Sequence, residues 1–143
     1  MNGEKLNPQS SHIYRYEALI EASDLDSYGH VNNSRYFSLL EDARWDLITN
    51  NGYGKTKVDE TGLGPIVLEV NLRYLKELFL NDKIVIETKV LSTAGKPVIY
   101  MQQKIVRGKD ICCEALFTLG LFDLNKRKLA RPSEAWLKAL NCN

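Results

Sequence analysis

Asp24-Leu-Asp-Ser-Tyr-Gly-His-Val-Asn-Asn-Ser-Arg-Tyr36 packs two carboxylates, an imidazole, a glycine and two carboxamides into one short run. Directly after it, Tyr36, Leu40, Ala43 and Leu47 recur at i, i+4, i+7 and i+11, with Phe37 and Ile48 widening the stripe, which predicts an amphipathic helix over 33–50. Asn32 or Asn33 serves as its N-cap, and Asn50-Asn51-Gly52 offers a left-handed exit. Upstream, Ile13 to Ala22 places Tyr14, Tyr16, Ala18, Ile20 and Ala22 on one side and Arg15, Glu17 and Glu21 on the other, the alternation of a strand with one buried face. The opening run therefore ends a strand and begins a helix. Unpaired backbone N–H groups and the helix dipole favour an anion there, and a developing oxyanion fits the same place.

Two charges sit awkwardly on the helix. At 100° per residue, Arg44 falls about 40° and Glu41 about 100° from Leu40. Either they form an i, i+3 ion pair at the edge of the core, or Glu41 faces a reaction cavity and Arg44 orients it or bridges to a partner chain.

Downstream, residues 51–65 hold several glycines and Pro65 and read as a loop, one wall of a pocket together with Phe37, Tyr53 and residues up to 68. Four strands follow. Ile66, Leu68, Val70, Leu72 and Tyr74 alternate with Glu69, Asn71 and Arg73; Asn81-Asp82 turns; Ile84, Ile86 and Val90 alternate with Glu87 and Lys89. Gly95-Lys96-Pro97 turns again, Val98 to Arg107 runs back, and Arg107-Gly-Lys-Asp110 leads into Ile111 to Asp123, with Ile111, Cys113, Ala115, Phe117, Leu119 and Leu121 on one face. A closing helix runs from Pro132-Ser133 to near Leu140. Strand, long helix, antiparallel meander and short helix make an α+β domain in which a twisted sheet wraps one central helix. Its open edge strands predict a homodimer or homotetramer.

Composition narrows the class. The 143 residues, 44% hydrophobic and 26% charged, suit one globular domain over 12–143, preceded by a polar, flexible terminus at 1–11. Nineteen basic against eighteen acidic side chains leave a net charge of +1 without a run of one sign, so no nucleic-acid footprint is present. The first residues lack an apolar signal core and no run of apolar residues reaches membrane-spanning length, which points to a cytoplasmic chain with no membrane partner. Cys112 and Cys113 are neighbours rather than a CxxC pair and read as reduced, apolar fillers. His12 and His30 lack metal-ligand spacing, so no metal is expected.

Asp24-x-Asp26-x-x-Gly29, followed by Val31, Asn32, Asn33, Tyr36 and Glu41, resembles the signature of hotdog-fold thioesterases of the 4-hydroxybenzoyl-CoA thioesterase type, and the order of elements matches the hotdog fold over essentially the whole chain. His30-Val-Asn-Asn33 is similar also to acyl-ACP thioesterases, although Tyr28 stands where that group carries Asn. The resemblance implies hydrolysis of an acyl-CoA thioester at a site between two subunits, coenzyme A entering as part of the substrate and no separate cofactor being needed. An acyl-carrier-protein substrate and a non-catalytic acyl-CoA-binding module are the alternatives.

Carried over by motif position, Asp26 is the catalytic carboxylate, acting as nucleophile or as general base, and the backbone N–H of Asn33 or a neighbour holds the thioester oxygen. A thioester is already electrophilic and its thiolate leaves readily, so a positioned carboxylate and an aimed N–H donor suffice. Glu41 is the candidate to assist water. Gly29, His30 and Asn32 join Asn33 in positioning the substrate or Asp26, whereas Asp24 caps the turn. Arg107 and Lys109, at a turn, are the candidates to meet coenzyme A phosphates.

Overall fold

The periodic segment becomes a helix with the expected bounds, α1 (Asn33–Asn50), started by Asn32, whose side chain accepts the Ser34 N–H. The computed structural model describes residues 12–91 and 97–141; the expected flexible terminus at 1–11, and Gly95 and Lys96 of the second turn, lie outside the described residues. The remaining elements are β1 (Tyr14–Leu19), a 3₁₀ turn at Ala22–Asp24, α2 (Lys55–Thr61), β2 (Leu63–Tyr74), β3 (Lys83–Val90), β4 (Val98–Arg107), β5 (Asp110–Asp123), β6 (Lys128–Ala130) and α3 (Glu134–Ala139).

All strand pairings are antiparallel, in the order β1-β3-β4-β5-β2, with β6 extending β5 past the end of β4. The α+β expectation of one sheet on one long helix holds, but the meander is incomplete. β2 pairs with β5 rather than with its sequence neighbour β3, and β3 takes β1 instead. The reason lies in residues 75–82. Their backbone crosses from the β2 edge, Leu78 is fully buried, and Asn81 at φ 68° turns the chain into hydrogen bonds with Ile20.

One face of α1, carrying Tyr36, Leu39, Leu40, Ala43 and Leu47, joins Ile84, Ile86, Met101, Ile105, Ala115 and Phe117 of the sheet in a single core. A fully buried aliphatic side chain such as Leu40 contributes about 1.5–3 kcal/mol. Two placements differ from the pattern. Phe37 is 40% exposed, because the buried arc is centred toward Leu39 and Ala43. Phe37, Glu41 and Arg44 thus share one flank of the helix, at roughly 40–100° from Leu40. In β2, a bulge between Val67 and Glu69 breaks the alternation and turns Leu68 outward. β1 also stops at Leu19, with Ala22 exposed in the 3₁₀ turn.

The glycine-rich stretch 51–65 contains α2, bracketed by Gly54 and by Gly62, which takes φ 69°. Ser133 caps α3 by accepting the Trp136 N–H, and Trp136 packs edge-on against Tyr53 in the core. Cys112 and Cys113 are buried, and burial pushes the Cys113 thiol up to about 12, as inert fillers require.

Candidate active site

The run from Asp24 to Asn33 folds as a tight loop closed by a bridge between Leu25 and Val31. Asp24 is buried and pins both ends: its carboxylate accepts the Glu21 N–H at 2.8 Å and Arg35 Nε at 2.5 Å, while its carbonyl accepts the Asn32 N–H at 3.1 Å. Inside the loop, the Asp26 N–H donates to the His30 carbonyl at 2.9 Å and the Gly29 N–H to the Asp26 carbonyl at 3.2 Å. Gly29 takes φ +84°, a conformation that side chains resist, and this lets the chain reverse so tightly. The Val31 N–H donates to the Leu78 carbonyl at 3.0 Å and holds the loop against residues 75–82.

The Asp26 carboxyl is neither buried nor turned out to solvent; its side chain is 20% exposed. One oxygen accepts the Tyr28 N–H at 2.8 Å, and the other lies 3.2 Å from His30 Nε2. His30 Nδ1 lies 2.7 Å from a carboxylate oxygen of Glu77. A neutral imidazole has one N–H and can donate to only one of two carboxylates, so the pair favours the cation. The bond to Glu77 accordingly raises the His30 pKa, with Asp26 adding to it.

At the helix start, the Ser34 N–H is taken by the Asn32 side chain and the Arg35 N–H by the Asn32 carbonyl. Among the described residues, the Asn33 N–H has no acceptor. Its carbonyl accepts the Tyr74 hydroxyl at 3.1 Å, and the Tyr74 ring stands edge-on to Tyr36. Between these groups lies a cavity of ≈ 230 Å³ lined by His30, Asn33, Tyr36, Tyr74, Lys76 and Glu77, among others. The structure thus brings together Asp26, His30 and the start of α1, with Asn32 as the cap and Gly29 as the turn.

Glu41 belongs elsewhere. It stands about 12 Å along the helix from Asn33, on the wall of a second cavity of ≈ 290 Å³ that includes Arg44, Trp45, Ile66, Val67, Met101 and Trp136. Among the described residues, no ion pair joins it to Arg44, whose guanidinium donates to Gln103 instead. The pocket wall drawn from 51–68 is met in part, since Pro65, Ile66 and Val67 line this cavity. Tyr53 is fully buried and gives its hydroxyl to the Leu63 carbonyl.

Arg107 is held by Asp82 at 2.9 Å, by Asp110 at 3.5 Å and by the Glu77 carbonyl at 2.8 Å, while Lys109 is exposed at the turn. Arg107 therefore braces the 75–82 segment. Sequence reasoning missed Glu77 and Tyr74, since Glu77 stands 47 positions from His30 and no local pattern marks it.

A six-stranded antiparallel sheet on one long helix is the hotdog architecture, and the family and relative that the chain matches make it a thioester hydrolase of that class. Residues 20–140 match the model of the thioesterase-like superfamily, and the chain belongs to that family. It is similar to the long-chain acyl-CoA thioesterase FadM of Escherichia coli (strain K12), 30% identical over 105 residues that cover 73% of this chain and 79% of that protein. In fold it is similar to the probable thioesterase YbaW of Escherichia coli, with a TM-score of 0.77, 24% identity and coverage of 90% of this chain and 97% of that one. It also resembles the Staphylococcus aureus protein SAV2348 in complex with CoA, with a TM-score of 0.83, 11% identity and coverage of 97% and 86%. Among the described residues, no helix is long and apolar enough to cross a membrane.

Proposed function

We propose that the protein hydrolyses acyl-CoA thioesters, with Asp26 as the reacting carboxylate and the Asn33 N–H as the donor that meets the thioester oxygen. The observation that carries this reading is the open Asn33 N–H at the first position of α1, beside a cavity that His30 also lines. The relation to FadM, a long-chain acyl-CoA thioesterase by name, and the fold shared with a CoA-bound protein support the substrate class.

In one route Asp26 attacks the carbonyl carbon, the thiolate of coenzyme A leaves, and water hydrolyses the resulting anhydride. In the other it takes a proton from water as the water attacks. Both need the donor at the developing oxyanion and no resident metal or cofactor. The apolar cavity along α1 suits an acyl group; Glu41 on its wall, about 12 Å along the helix from Asn33, is the candidate to assist water only at a site shared between two subunits, where it would serve the centre of the partner chain. Lys109 is the exposed cation offered to a phosphate of coenzyme A. Among the described residues the outer edges of β1 and β2 carry no further strand, and with Val67, Leu68 and Tyr74 exposed they suit a homodimer or a homotetramer.

A carrier-protein ester is the second reading, carried by His30-Val-Asn-Asn33. A thiol-release assay over a panel of acyl-CoA and acyl-carrier-protein esters tests both: turnover on the CoA esters is expected. Release from the carrier esters alone would transfer the assignment to the second reading, and saturable binding without thiol release would reject catalysis.

A further inference from the structure

We propose that Glu77 is a positioning residue for this hydrolysis: through the His30 imidazole it fixes how the Asp26 carboxylate is presented at the start of α1. The proposal rests on the reading of Asp26 given above. Three side chains stand in line, Glu77 Oε1 at 2.7 Å from His30 Nδ1 and Asp26 Oδ2 at 3.2 Å from His30 Nε2, so that one planar ring spans two carboxylates from different parts of the fold. An exposed ion pair alone contributes little, and the Glu77 side chain is 62% exposed. The significance here is orientation. The ring has one free torsion about its Cβ–Cγ bond, and a carboxylate at each nitrogen fixes it.

The backbone behind Glu77 is held to a degree that its exposed side chain does not suggest. Arg107 donates to its carbonyl at 2.8 Å and also grips Asp82, which accepts the Phe79 N–H at 2.8 Å. The neighbouring Leu78 is fully buried and accepts the Val31 N–H. Residues 77–79 are therefore fixed both to the loop that carries His30 and to the β4–β5 turn.

The groups facing His30 leave Glu77 and Asp26 in charge of its proton. Tyr28 of its own loop stands edge-on at 5.9 Å. Lys76, next to Glu77, is paired with Asp110 at 2.8 Å, and Arg107 with Asp82 and Asp110. Asn33, Tyr36 and Tyr74 across the cavity are uncharged near neutral pH, burial pushing Tyr36 up to about 12. With both carboxylates ionised, only the imidazolium satisfies both. When it loses its proton, one contact becomes lone pair against carboxylate, the ring is free to turn, and the orientation of Asp26 goes with it. Wild-type kcat should then fall on the alkaline side as His30 deprotonates.

The test uses the full chain with Glu77→Gln, Glu77→Asp and wild type, reading the imidazole titration by NMR, thiol release from acyl-CoA esters across pH, and the melting temperature. The sequence has two histidines, and His30→Gln assigns the resonance. In Glu77→Gln the ring loses one anionic partner, so its titration and the alkaline limb of kcat both move to lower pH. We expect kcat to fall by about 10-fold, inside the roughly 10²-fold that a 1 Å misplacement can cost, with KM unchanged, with at most the small drop in melting temperature that losing an exposed ion pair brings, and with partial recovery in Glu77→Asp. An unaltered limb and kcat in Glu77→Gln, in a wild type that does turn over, overturns the proposal alone. So does a loss confined to melting temperature. A wild type that releases no thiol from any ester overturns the catalytic reading itself.

Discussion

Arg44 on α1 donates to Gln103 Oε1 on β4 at 3.0 Å, and its guanidinium carbon lies 4.2 Å from the centre of the Phe117 ring. Gln103 is fully buried, and its amide nitrogen serves the Leu40 carbonyl at 3.1 Å and the Thr88 hydroxyl at 3.0 Å. One glutamine thus ties the middle of the helix to two strands. Burial lowers the Arg44 pKa to about 10, against the opposing influence of Glu41, as expected of a cation held by a neutral oxygen and an aromatic face.

That arrangement makes Gln103 costly to remove. Gln103→Leu leaves an Arg44 N–H and the Leu40 carbonyl short of partners, and should destabilise the fold by about 1–3 kcal/mol. The shift in denaturant midpoint reports it. Because the two residues share one network, the double variant with Arg44→Met should lose less than the two single losses combined.

Asp26→Asn keeps an oxygen for the Tyr28 N–H and removes the charge. Thiol release should fall by about 10²–10⁴-fold, the scale of losing a general acid-base group, with the melting curve nearly unchanged. Retained turnover would take Asp26 out of the mechanism.

Glu41 is exposed and not ion-paired to Arg44, so stability has little use for its charge. Glu41→Gln should change stability by no more than about 0.5 kcal/mol, as surface substitutions do, while lowering turnover. Should the melting temperature drop and activity persist, the residue serves the core edge instead.

Stability should depend on pH through His30. Its pKa is raised above the ordinary 6.5, first by the bond to Glu77, so the folded state holds the proton more tightly than the unfolded one. The contribution is fully present below 6.5 and is lost as pH rises through the raised folded value. Urea midpoints measured across that window should fall in wild type, and the slope should disappear in His30→Gln.

Much of this was legible in the residues, for reasons that differ from element to element. α1 could be read because its apolar period, its Asn32 cap and its glycine exit all act locally; β3, β4 and most of β5 followed from alternation. α2 was hidden because the glycines that suggested a loop are its two ends, and β6, with three residues, is too short for any period to register. Ile111 is 37% exposed, since a register shift beside Ile105 and Val106 offsets the start of β5. Within the site, Asp26, Gly29, His30, Asn32 and Asn33 lie in one readable run. Glu77 and the Tyr74 hydroxyl reach it only through the crossing of 75–82, which no nearby residue announces.

The hydrogen bond from Val31 to Leu78 carries a lesson for protein engineering. Moving residues 24–36 alone onto another helix-and-sheet scaffold would transfer the letters of the motif without the strap that holds its histidine in line. A deletion of one residue between β2 and β3, remote in sequence from every member of the motif, would turn the side chain at position 77 away and leave the loop to find its own shape.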